Sequence, residues 1–119
     1  MMGGENIAPL EIEYILSKHP KVAQVNVVGV PDLKLGEVGA AYIEIVDGET
    51  CTKQEIIDYA KKNMASFKVP KYVEFVDKSG IPLTTSGKVQ KFKLKERAIN
   101  DYGLQEAARQ LESIRKTGR

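Results

Sequence analysis

The order of patterns along this 119-residue chain predicts an α+β fold, a small sheet of about three strands covered by helices. Three observations carry that expectation. Residues 22–30, 38–46 and 72–76 are β-branched or aromatic runs bounded by turn residues. Segments with apolar residues at helical spacing stand before, between and after them. Three short strands are not stable uncovered, and the helices have apolar faces to bury.

Each element has a local reason. Pro9 suits the first turn of a helix, where its missing N–H is not needed. Ile12, Ile15 and Leu16 follow at i, i+3 and i+4, giving a helix over about 9–18 that His19-Pro20 ends. A strand over 22–30 stops at Pro31-Asp32, and Gly36 breaks the next loop. A second strand over 38–46 is closed by the turn pair Asp47-Gly48. Thr52 is a good N-cap with Glu55 three residues on, a capping box that opens a helix over 53–63 with Ile56, Ile57 and Ala60 on its apolar face. Residues 65–70 read as a loop, 72–76 as the third strand and 78–88 as a long polar loop. Phe92, Leu94, Ala98 and Ile99 mark a helix over 91–101, interrupted near Gly103; a second helical piece over 104–115 has a polar end expected to fray.

Length and composition fit one soluble globular domain. No apolar run approaches 18 residues, so no transmembrane segment is expected. The N-terminus lacks the charged and apolar regions of a secretory signal, and the lone Cys51 cannot form an internal disulfide. A reducing cytoplasm is the expected location. With one histidine, His19, and one cysteine, no clustered zinc site is expected and a Cys–His nucleophile has no support. Aromatic residues are sparse and do not alternate with basic ones, which argues against a stacking platform for nucleic acid.

Charge is unevenly spread. Residues 1–50 hold three lysines against eight acids, a net of −5, whereas residues 51–119 hold fifteen Lys/Arg against eight acids, a net of +7. The densest basic stretch is Lys88, Lys91, Lys93, Lys95 and Arg97, countered only by Glu96. That imbalance suits a phosphate-rich partner or a solvated helix face. Inside it, Pro82-Leu83-Thr84-Thr85-Ser86-Gly87-Lys88-Val89-Gln90-Lys91 places a lysine after a glycine and three hydroxyl side chains. Hydroxyls and backbone N–H groups donate, glycine allows close approach, and lysine supplies a mobile positive point charge. A P-loop is excluded by spacing: six residues, not four, separate Gly80 from Gly87, and Val89 follows Lys88. The residues alone leave Lys88 open between an anion site and a solvated loop lysine.

Four motifs in register then resemble one family. Gly3-Gly4-Glu5-Asn6-Ile7-Ala8-Pro9-Leu10-Glu11-Ile12-Glu13 is similar to the Gly-Glu-Asn-Ile…Pro…Glu-Ile-Glu motif of the adenylate-forming enzymes, which include acyl-CoA synthetases, luciferases and peptide-synthetase adenylation domains. His19-Pro20 with Val22, Pro31-Asp32 and Gly36-Glu37-Val38 resembles the following stretch, Lys68 with Pro70-Lys71 and residues 72–76 the next, and residues 82–91 the terminal catalytic-lysine motif. The resemblance runs from Gly3 to about Ala98.

It implies the small C-terminal lid of a two-step ligase, with a lid domain over 1–99 and a C-terminal helical extension over 100–119. Such enzymes join a carboxylic acid to ATP, releasing pyrophosphate, and pass the acyl group to a thiol, commonly coenzyme A. ATP, AMP and CoA are then substrates, Mg2+ accompanies ATP outside this chain, and the partner is the large N-terminal adenylation domain, without which the lid is expected to be inactive. Lys88 matches the lysine that enters the site for adenylation, with Thr84, Thr85, Ser86 and Gly87 forming its nucleotide loop. Gly3, Gly4, Glu5 and Asn6 match the segment bordering the pantetheine tunnel. Lys62, Lys68 and Lys71 are candidates for the CoA phosphates on charge alone. Residues 74–77 and 91–94 look most like fatty-acyl or medium-chain acyl-CoA ligases. Two alternatives are the lid of a peptide-synthetase adenylation domain acting on a carrier-protein thiol, and a non-enzymatic phosphate or nucleic-acid binding module resting on the basic half.

Overall fold

The computed structural model describes residues 7–77 and 80–117. In chain order they form α1 (Pro9–Ser17), β1 (Val22–Asp32), β2 (Gly36–Ile45), α2 (Lys53–Asn63), a short 3-10 turn (Ser66–Lys68), β3 (Tyr72–Phe75), α3 (Lys91–Asp101) and α4 (Gln105–Thr117). The α+β expectation holds. The strands lie in the order β1-β2-β3, with β1 antiparallel to β2 and β3 parallel to β2. A parallel pair needs a crossover connection, and α2 provides it.

Helices cover both faces of the sheet. On one, Ile12 and Leu16 of α1 and Ile56 and Ala60 of α2 pack against Val25, Val27, Ala41, Ile43 and Val73. On the other, Leu94 and Ala98 of α3 pack against Val28, Val30, Val38, Ala40 and Tyr42. Covering both faces explains why β2 reads as a nearly continuous apolar run. Tyr72, Tyr102 and Leu104 border the second core. The Tyr72 and Tyr102 rings stack with centroids 4.2 Å apart, and the Tyr102 hydroxyl donates to Glu74 at 2.8 Å. Residue 100, where the sequence reading divided lid from extension, lies within the last turn of α3.

The capping box forms as expected: Glu55 N–H donates to Thr52 Oγ1 at 3.1 Å and Thr52 N–H to the Glu55 carboxylate at 3.2 Å. Gly103 takes φ +65° between α3 and α4, and Leu104 N–H donates to the Ile99 carbonyl at 2.8 Å, a glycine-based helix end. One expectation is corrected. β1 does not stop before Pro31 but continues to Asp32, with Pro31 opposite Glu37. Side-to-side alternation puts the nitrogens of Val27 and Pro31 on the same outward edge, where a missing N–H costs the ladder nothing. The hairpin tip then forms around Asp32, whose carboxylate accepts from Lys34 N–H at 3.1 Å and Leu35 N–H at 2.8 Å.

The outward edge of β1 is engaged by side chains. Val27 N–H donates to Glu13 of α1 at 2.7 Å, and the Lys91 ammonium donates to the Val27 carbonyl at 3.0 Å. Lys91 also pairs with the same Glu13 oxygen. One charged pair thus joins α1, β1 and the start of α3.

Candidate active-site hairpin

The polar loop before α3 is ordered by its own backbone. Leu83 and Val89 form an antiparallel bridge. Thr84 N–H donates to the Lys88 carbonyl at 2.8 Å, and Gly87 N–H donates back to the Thr84 carbonyl at 2.9 Å. Gly87 has φ +88°, which glycine adopts without steric cost. A three-residue hairpin loop closed by a left-handed residue has this pattern.

The hydroxyls of the motif are divided between structure and solvent. Thr84 Oγ1 accepts the Lys88 N–H at 3.0 Å and lies 3.0 Å from Ser86 Oγ. Thr84 and Ser86 therefore brace the turn internally. Thr85, Ser86, Gly87 and Lys88 are exposed at its tip. Among the described residues no ion pair or side-chain hydrogen bond engages the Lys88 ammonium. The backbone of Lys88 is fixed while its charge is left available.

One contact closes the base of the hairpin, and one side chain ties the loop before it to the body. Gln90 N–H donates to the Pro82 carbonyl at 2.9 Å, closing the base. Arg97, two turns into α3, donates to the Gly80 carbonyl and lies over the Tyr42 ring at 5.2 Å. Burial pushes the Tyr42 hydroxyl up to about 12, with the Asp101 charge adding to the rise and Arg97 opposing it. Tyr42 therefore remains neutral in the ordinary pH range.

The first turn of α3 carries two lysines, Lys91 and Lys93, and no acid of its own, with Lys91 paired to Glu13 of α1. Gln90 makes no side-chain cap. The helix dipole adds partial positive charge at the same end. A groove of about 260 Å³ runs beside it along the β1 edge, lined by Pro9, Val27, Gly29, Glu37, Phe92 and Lys95 among others. An exposed cation on a hydrogen-bonded turn beside such an end can stabilise an anion or the charge developing on a phosphoryl group.

The remaining predicted residues are dispersed. Gly3, Gly4, Glu5 and Asn6 lie outside the described residues. Lys62 is exposed in the last turn of α2. Lys68 pairs with Glu11 at 2.8 Å, and Lys71 with Asp32 at 3.0 Å. Burial alone would raise the Asp32 carboxyl, but the Leu35 N–H, the Lys71 ammonium and the Lys34 N–H outweigh it and hold it below its ordinary value. Lys71 is raised in turn, chiefly by its hydrogen bond to Asp32. Among the described residues no group of three or more His, Cys, Asp or Glu side chains could hold a metal ion, and no helix is long and apolar enough to cross a membrane.

Sequence reasoning missed Glu13, Lys91 as a structural ligand of Val27, and Arg97. The sequence shows Arg97 only as part of a basic stretch suited to a phosphate-rich partner or a solvated helix face. Glu13 stood beside the apolar stripe of α1 without any local sign of a partner 78 residues away.

Comparison with known proteins extends this picture. The AMP-binding enzyme C-terminal domain profile matches residues 11–88 and so ends on Lys88. The mitochondrial medium-chain acyl-CoA ligase of Homo sapiens is 51% identical over 94 residues, covering 79% of this chain and 15% of that protein. The corresponding Danio rerio ligase is 48% identical over 102 residues, covering 86% of this chain and 16% of that protein. The chain thus spans about a sixth of the length of these relatives. Among solved structures, ATP-bound MatB from Rhodopseudomonas palustris superposes with a TM-score of 0.77 at 36% identity, covering 84% of this chain and 20% of that one. A fatty acyl CoA synthetase of Mycobacterium tuberculosis superposes at 0.70 with 38% identity, covering 81% and 18%. A profile match over most of the chain, close relatives and the shared fold together establish that the chain belongs to the AMP-binding enzyme C-terminal domain family.

Proposed function

We propose that this chain is the lid of an ATP-dependent acyl-CoA ligase and that Lys88 is its catalytic residue for adenylation. The observation that carries the reading is the hairpin itself: it fixes the Lys88 backbone and leaves the ammonium exposed. Support also comes from the naming of the relatives as medium-chain and fatty acyl-CoA ligases, which favours such acids as substrates and CoA as the thiol.

In the first step a carboxylate oxygen of the acid attacks the α-phosphorus of ATP. A new P–O bond forms, the bond to the β-phosphate oxygen breaks, and pyrophosphate leaves with that electron pair. Negative charge builds on the α-phosphoryl oxygens, and the Lys88 ammonium stabilises it more than it stabilises the ground state. Gly87 lets the turn approach the nucleotide closely, and Thr85 and Ser86 offer hydroxyl donors at the exposed tip. In the second step the CoA thiol, losing its proton, attacks the acyl carbonyl and AMP leaves. Gly3, Gly4, Glu5 and Asn6 border the pantetheine path in this reading. Lys62, Lys68 and Lys71 stand as CoA phosphate contacts, the latter two requiring their present carboxylate partners to let go. Mg2+ travels with ATP and is held outside this chain.

The test is a chimera in which this chain replaces the matching segment of the human medium-chain ligase. It is expected to release pyrophosphate in the presence of a medium-chain acid, and Lys88→Ala to slow that release by about 10²–10³. Transfer from preformed acyl-adenylate to CoA is expected to be far less affected. Equal pyrophosphate release by Lys88→Ala and the unaltered chimera would remove Lys88 from the reaction.

A further inference from the structure

We propose that Glu13 and Lys91 are positioning residues for Lys88: the pair pins the start of α3 to β1 and α1, and thereby sets where the hairpin presents its lysine. The inference rests on the reading of Lys88 given above.

The geometry is a three-way junction. The Glu13 carboxylate, mostly buried, accepts the Val27 N–H at 2.7 Å and pairs with the Lys91 ammonium. Lys91 takes the other outward group of the same residue, donating to the Val27 carbonyl at 3.0 Å. Bonds between charged groups of this kind are about twice as strong as neutral ones, and desolvation strengthens them further. Lys91 is the first residue of α3 and lies three residues after Lys88. Gln90 between them closes the hairpin base through its N–H to the Pro82 carbonyl.

Local helix chemistry opposes this placement. A cation at a helix N-terminus meets the unfavourable end of the dipole, and α3 has neither a side-chain cap nor an acid in its first turn. Glu13 supplies from α1 the negative charge that the first turn of α3 lacks. Leu94 and Ala98 fix the middle of α3 by packing. The Glu13–Lys91 pair fixes the end next to the hairpin, where no buried apolar residue of α3 does so. Because α1 begins two residues after Ile7, the same junction ties the Lys88 turn to the segment that follows Gly3-Gly4-Glu5-Asn6.

Two measurements separate positioning from bulk stability. In the 119-residue chain, Lys91→Met and Glu13→Gln are expected to speed amide exchange at Thr84, Gly87 and Gln90 by about tenfold, leaving the β1–β2 ladder amides unchanged. In the chimera the same variants are expected to lower kcat for pyrophosphate release by about tenfold with little change in KM for ATP, and Lys91→Arg is expected to restore both readouts. Unchanged hairpin exchange in both variants, or exchange raised equally across the ladder, overturns the positioning role. If Lys88→Ala leaves pyrophosphate release intact, the catalytic reading falls instead, and the exchange pattern decides the junction by itself.

Discussion

At the scale of single residues, Gly87 and Lys88 form one device. A Cβ built on Gly87 would meet no atom within 4 Å, so its requirement for glycine comes from φ +88° alone. Gly87→Ala is therefore expected to cost about 1 kcal/mol of hairpin stability, read as roughly fivefold faster exchange at the Thr84 and Lys88 amides with the core unaffected. The sequence places these residues in a long polar loop with a glycine before the lysine, but not in a hairpin: the Leu83–Val89 bridge and the positive φ of Gly87 appear only in the structure. The supports of the turn were not legible. Glu13 and Lys91 are 78 residues apart, and Arg97 reaches Gly80 across 17 residues. No periodicity or short motif encodes a pairing at such separations.

At the scale of elements, local signals did best where one segment supplies its own caps. The helix expected over 53–63 is found at Lys53–Asn63 because Thr52 and Glu55 close its first turn between themselves. Thr52→Ala is expected to cost about 1 kcal/mol in urea denaturation, with the folded far-UV signature retained. Pro31 shows the opposite case. A proline ends a strand only when its N–H is needed, and whether it is needed depends on which neighbour lies on that side. The sequence shows β1 as a strand but not as an edge strand. The parallel pairing of β3 with β2 was likewise beyond local reading, since it depends on where α2 carries the chain.

At the scale of the whole molecule, the Asp32–Lys71 pair links the β1–β2 tip to the residue before β3. Its contribution to stability has two limits in pH. Asp32 is held below its ordinary 3.8 in the folded state, so its share is full above that value and is lost as pH falls through the lower folded value. Lys71 is held above its ordinary 10.5, so its share is full below that value and is lost as pH rises through the higher folded value. The urea midpoint of Asp32→Asn is therefore expected to lie below that of the unaltered chain by a constant margin from about pH 5 to 9. The margin is expected to narrow below about pH 4 and above about pH 10.5.

The occupied backbone of Val27 has a consequence for how copies of this protein meet one another. A long strand with a free side is a template on which another chain can lay a strand of its own, the first step of ordered aggregation. On β1 that template is broken twice. Glu13 and Lys91 already take both outward groups of Val27, and four residues on Pro31 has no N–H to offer. An incoming strand would find its ladder interrupted at each point. The contacts that tie the start of α3 to α1 and β1 thus also break up the long free edge of β1 as a template for a second copy.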